Sequence, residues 1–214
     1  TAANPLSPAG NPAARAAARI RYKYTQDLPA ADITAHPSAA DFPGTVAPNM
    51  PRERMTVQID GTYVGRDARW DPARPTNIVW RSTGAYANAG EMVTVTVPAA
   101  LVNNGTTIQI GPHTDQLWAK TSYVRYPAIV RSYPITSTQM TVSSAFGGLI
   151  YISLTSVKNL GPLSITLDNV VRAPLYVHGQ TTLNDWLTIR DYPAPWADVG
   201  SDKMQVTVPS SYIR

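Results

Sequence analysis

From Arg54 onward, apolar and polar residues follow a period of two rather than the helical three to four. Met55–Ile59 alternates and runs into Asp60-Gly61, a pair suited to a tight hairpin turn, with Thr62–Val64 as the predicted return strand. Further β-rich runs lie at Asn77–Arg81, Met92–Val97, Thr106–Ile110, Ala128–Tyr133, Gln139–Val142, Gly148–Leu154, Leu163–Leu167, Val170–Val177 and Lys203–Val208. Short Gly-, Pro- or Asn-rich segments separate them, such as Asn103-Asn104-Gly105 and Lys158-Asn159-Leu160-Gly161-Pro162. Many short strands at this spacing predict an all-β fold: an antiparallel β-sandwich, jelly-roll-like, rather than an α/β protein.

The pattern differs at the two ends. Residues 1–10 are small and rich in Pro and Gly, which predicts a mobile terminus. Asn11 can cap a helix, Pro12 suits its first turn, and the Ala/Arg run that follows favours helix until about Tyr24. Leu28–Pro51 reads as a Pro-rich connector with a possible turn at Pro43-Gly44. The sequence therefore divides into a leader, 1–54, holding a short N-terminal helix, and a sandwich domain, 55–214. Late in the domain, Thr182–Arg190 predicts a short helix opened by Thr181 or Thr182, and Pro193-Ala194-Pro195-Trp196 a turn.

Composition narrows the function classes. Charged residues make up only 15% of the 214, and Thr, Ser, Pro and Ala take their place, as in many secreted β-proteins. The net charge of +4 is dispersed apart from Arg15, Arg19, Arg21 and Lys23. No basic run is interleaved with aromatics, so nucleic acid is not expected as a partner. There is no cysteine, which excludes disulfides, thiolate catalysis and Cys-based metal sites. No apolar run is long enough to span a membrane as a helix.

Catalytic signatures are sparse. His36, His113 and His178 are the three histidines; none belongs to an H-E-x-x-H and no two share helical spacing. There is no G-x-S-x-G elbow and no P-loop. The most site-like cluster is Gly111-Pro112-His113-Thr114-Asp115, where His113 and Asp115 could hold a metal or a sugar hydroxyl. The competing reading is a turn whose polar side chains satisfy backbone donors while His113 packs at the sheet end. Among the tryptophans, Trp186 and Trp196 fall in the least regular region and are candidates for stacking on a sugar ring; ordinary core filling competes with this. Gly147-Gly148 before an apolar strand predicts a bulge or close backbone approach, or else a bare edge for an extended peptide.

Several blocks, in order, carry a family resemblance. They are Gly84-Ala85-Tyr86-Ala87 with Gly90-Glu91 and the Val/Thr strand after it, Ile110–Asp115, Gly147–Ile152, Ala173-Pro174-Leu175-Tyr176, Asp185-Trp186, Ala194–Asp198 and Val206–Ser210. Together they resemble the enhancin-like zinc metallopeptidases of peptidase family M-sixty, over about residues 81–214. The resemblance implies the N-terminal β-sandwich half of such a module. A helical half bearing H-E-x-x-H and a further Glu would follow, with zinc as its cofactor and the motif Glu as general base. None of those positions exists in this chain, so no catalytic or metal residue and no cofactor is assigned to it. The implied partners are the catalytic half of the same polypeptide and mucin-type glycoprotein or glycan substrates, in a secreted or cell-surface setting. Two alternatives stay open: a stand-alone carbohydrate-binding or adhesion module, and a structural surface domain.

Overall fold

A computed structural model of the chain describes residues 2–65, 78–201 and 204–214. Trp70, Asn77 and Lys203 lie outside the described residues. The strands are β1 (Glu53–Tyr63), β2 (Ile78–Ala87), β3 (Val93–Thr96), β4 (Thr107–Ile110), β5 (Arg131–Pro134), β6 (Gln139–Val142), β7 (Gly148–Thr155), β8 (Lys158–Arg172), β9 (Leu175–Val177), β10 (Trp196–Gly200) and β11 (Gln205–Pro209). Two α-helices, α1 (Pro12–Asp27) and α2 (Leu183–Ile189), accompany them.

The fold is all-β and sandwich-like, as the period-two pattern predicts. One layer runs β5-β4-β7-β2; the other places β1 and β3 beside β8, with β6 beyond β3. The pairs Ala85–Arg172 and Tyr86–Val171 join the layers. Between them lies the main core: Ile59, Val93, Val95, Ile165 and Leu167 from one layer against Ile108, Ile110, Ile150, Ile152 and Leu154 from the other. Each such side chain contributes about 1.5–3 kcal/mol on burial.

Strand β7 explains the location of everything else. Its residues are buried on both faces up to Leu154. Ile150, Ile152 and Leu154 point into the main core; Leu149 and Tyr151 point outward, into a second core with Val46, Tyr86, Val171 and Ala194. A strand covered on both sides reads as a continuous apolar run. The outer cover comes from a small separate sheet, β11-β10-β9, and from the leader.

Five local readings are corrected. Asp60-Gly61 is not a hairpin turn: β1 continues to Tyr63 through a bulge in which Asp60 Oδ1 accepts the Thr62 N–H at 2.8 Å, because β8 supplies partners along its whole length. The same partner draws Lys158–Pro162 into β8 instead of leaving it as a turn. Residues 2–10 are tied down, Leu6 and Tyr123 exchanging backbone hydrogen bonds of 3.1 and 2.8 Å. Trp196, expected in a turn, opens β10. Gly147-Gly148 leads into an interior strand, flanked by β4 and β2, so no peptide edge exists there. The helix capped by Asn11 is present, its Oδ1 accepting the Ala14 N–H at 3.0 Å.

Candidate functional site

Three of the four sequence-predicted site residues converge on one leader side chain, Phe42. His113, in the loop after β4, meets the Phe42 ring edge-on at 4.6 Å and the Trp196 ring at 4.5 Å between centroids. Trp196 also meets Phe42, at 5.7 Å, and its Nε1–H donates to the Pro43 carbonyl at 2.6 Å. Asp115 accepts a hydrogen bond from Arg125 at 2.6 Å, and the Arg125 guanidinium lies 5.2 Å from the Phe42 centroid. Trp186 is elsewhere, on α2, edge-on to Tyr176 at 5.4 Å.

The chemistry of this cluster is that of a packed aromatic seam. Among the described residues His113 Nδ1 is buried without a hydrogen-bond partner. Burial lowers its pKa to about 4, the nearby Arg125 pushing the same way and Asp115 opposing. The imidazole is therefore neutral at physiological pH. His36 is held in a similar state, lowered to about 4 by burial and Arg21, its ring against Tyr126 and Phe146 and its Nδ1 accepting the Ser38 N–H at 3.1 Å. Among the described residues no group of three or more His, Asp or Glu could hold a metal ion. The donor set does not fit a catalytic zinc.

Sequence reasoning missed the most unusual polar group. Asp198 of β10 is fully buried. Its Oδ2 accepts from Ser82 at 2.5 Å; its Oδ1 accepts from Thr207 at 2.6 Å and Tyr151 at 3.1 Å. The carboxyl pKa is raised, burial outweighing the hydroxyl donors. Four strands, β2, β7, β10 and β11, thus meet at one carboxylate, which ties the small sheet to the sandwich. The only sequence signal was an acidic residue at an inward position of an unrecognised strand.

The Gly84–Glu91 block also acquires a physical meaning. Tyr86 Oη donates to the Gly44 carbonyl at 2.6 Å, and Asn88 Oδ1 accepts the Val46 N–H at 3.2 Å. Glu91 takes two hydrogen bonds from Arg52, at 2.7 and 2.6 Å, and one from Asn88. Gly90 has φ 75°, and a Cβ there would sit 2.3 Å from the Ala35 nitrogen. These residues clamp the leader onto the sandwich.

Comparison with known proteins places this architecture. Residues 48–168, more than half of the chain, match the N-terminal domain of M60-like peptidases. The chain belongs to the M60-like peptidase family. Residues 169–214 match the adjoining region, peptidase M60, enhancin and enhancin-like. The junction falls inside β8, so the M60-like domain and the start of the peptidase region share one strand. A TRPM8 channel-associated factor homolog from Xenopus laevis is 36% identical over 161 residues, 75% of this chain. The chain spans only 17% of that relative's length. Solved structures share the fold. IMPa from Pseudomonas aeruginosa, in complex with an O-glycopeptide, has a TM-score of 0.54 at 15% identity, covering 76% of this chain and 18% of that one. The ZmpB metallopeptidase from Clostridium perfringens has a TM-score of 0.52 at 14% identity, covering 74% and 35%.

Proposed function

We propose that this chain is the non-catalytic β-sandwich portion of a secreted or cell-surface, enhancin-like zinc metallopeptidase that acts on mucin-type glycoproteins. In this reading residues 1–54 strap the 55–214 sandwich, and the H-E-x-x-H half lies on the same polypeptide beyond it. The observation that carries the reading is the uninterrupted succession of matches, residues 48–168 to the M60-like N-terminal domain and 169–214 to the peptidase region. The O-glycopeptide in the IMPa structure supports the substrate class. The sandwich holds the first strands of the peptidase region rigidly through Asp198 and helps present substrate, with Trp186, Trp196, His113 and Asp115 as candidate glycan contacts. Trp186 is the best placed of these, being partly exposed and free of the Phe42 seam.

The test is a polypeptide extended through the whole peptidase region, assayed on an O-glycosylated protein before and after enzymatic removal of its glycans. Cleavage of the glycosylated form, abolished by chelation and restored by zinc, is the expected result; the 214-residue chain alone should be inert. The relatives named as channel-associated factors favour a second reading, in which the module serves binding. An extended polypeptide that never cleaves, together with glycan or protein capture lost in Trp186→Ala, would establish that alternative.

A further inference from the structure

The small sheet has two unlike faces. Leu175, Asp198 and Thr207 form one cross-strand row. That row meets the sandwich, Asp198 bonding to Ser82 and Tyr151 and Leu175 packing at Gly84. The next row is Tyr176, Val199 and Val206. Side chains alternate along a strand, so this second row faces away from the sandwich. Apart from the Tyr176 hydroxyl it is apolar, and Val206 is 42% exposed. Trp186 stands against Tyr176 and extends the surface onto α2. There Leu183 and Leu187, at i and i+4, share the face that bears Trp186 and are 73% and 47% exposed.

One feature marks this surface as one that polypeptide can cover. Strand β11 is an edge, paired only with β10 among the described residues; it carries no Lys and no bulge, and its one edge-protecting residue is Pro209 at its end. The occupant follows from the match: β9, α2, β10 and β11 all lie in the peptidase region that begins at residue 169, and the chain spans 35% of the ZmpB chain it resembles.

We propose that the Tyr176–Val199–Val206 face, with Leu183 and Leu187 of α2 and the free edge of β11, is the seat on which the remainder of the peptidase region packs. The inference rests on the reading that this region continues on the same polypeptide. It assigns Trp186 to that interface and so removes it from the candidate glycan contacts of the extended polypeptide.

Hydrogen–deuterium exchange on this chain and on the extended polypeptide tests it. Peptides covering α2 and β11 should exchange at least about tenfold more slowly in the extended form. The double variant Val206→Thr, Leu187→Gln keeps strand and helix propensity; it should lower the unfolding midpoint of the extended polypeptide and leave that of this chain unchanged. Equal exchange in the two forms, or equal effects of the variant, would overturn the proposal. So would protection of this chain alone that rises with its concentration, which assigns the face to a second copy. Protection that appears only on adding an O-linked disaccharide would overturn it in favour of a saccharide. Activity is read separately. Protection without cleavage leaves the seat standing and removes the peptidase reading, and cleavage without protection does the reverse.

Discussion

At the scale of single residues, two buried titratable groups pull stability in opposite directions with pH. The His113 imidazole, held at about 4 against an ordinary 6.5, binds a proton more readily in the unfolded chain. Its contribution to stability is complete above pH 6.5 and falls as pH drops toward 4. Asp198 behaves inversely. Its raised carboxyl pKa favours the folded state below the ordinary carboxylate value of 3.8, an advantage lost as pH rises through the folded value. His113→Phe should therefore reduce the acid limb of a stability–pH profile, the His36 part remaining, and Asp198→Asn should reduce the limb that starts near 3.8; denaturant midpoints measured from pH 4 to 8 separate them. Asp198→Ala should be far more damaging, because it strands the hydroxyls of Ser82, Tyr151 and Thr207 at about 1–3 kcal/mol for each left unpaired. An unfolding midpoint equal to wild type would show that water or repacking replaces the carboxylate. Trp196→Ala should cost about 3–5 kcal/mol by removing both the Phe42–His113 packing and the bond to Pro43. A glycan-binding test at that position must accordingly be paired with a stability measurement.

At the scale of elements, the Gly147-Gly148 entry to β7 is a close backbone approach between strands of the sandwich. Gly147 has φ 70°, and a Cβ there would lie 2.5 Å from the Ala87 carbonyl oxygen; at Gly148 it would lie 2.7 Å from Gly111 Cα. Both obstructions are backbone and cannot swing aside. Gly147→Ala and Gly148→Ala should each destabilise by about 1–3 kcal/mol from backbone conformation alone, with the clash adding to it. Circular dichroism melts would show this, and a neutral result at either site would mean the β2–β7 corner is more pliant than its packing indicates. Element existence was largely legible: the Asn11 cap, the Val93–Thr96 alternation and the β7 apolar run all follow from local pattern. Element extent was not. Whether Asp60-Gly61 turns or bulges depends on whether a long partner lies alongside, and β8 is more than ninety positions away in sequence.

At the scale of the whole molecule, the leader is part of the core. Ile33, Ala39 and Val46 are buried, and Gly44, Val46 and Arg52 are fastened by Tyr86, Asn88 and Glu91. Removing residues 1–45 should strip Leu28, Ile33, Ala39 and Phe42 from Ala89, Ile129, Ala145 and Phe146 and yield a chain that aggregates or melts far below wild type, by calorimetry or light scattering. Retention of a cooperative, soluble fold would show instead that the leader only decorates the sandwich. The loss of any one clamp residue, as in Glu91→Gln, should be milder: the Arg52–Glu91 pair is partly exposed, and such pairs contribute about 1 kcal/mol or less.

The sequence by itself determined the fold class, because a period-two pattern of β-branched residues can bury one face only as a sheet. It determined the family, through blocks whose glycines and aromatics answer to backbone approaches that few residue types permit. It also carried the absence of H-E-x-x-H, which is a matter of residue identity alone. Only tertiary structure decided that His113, Asp115 and Trp196 gather around Phe42 while Trp186 joins Tyr176 on a different surface. It likewise decided that Asp198 would be the buried carboxylate at the junction. These arrangements depend on contacts between segments far apart in the chain, which local periodicity does not encode, and burial then sets the protonation states that no isolated side chain reveals.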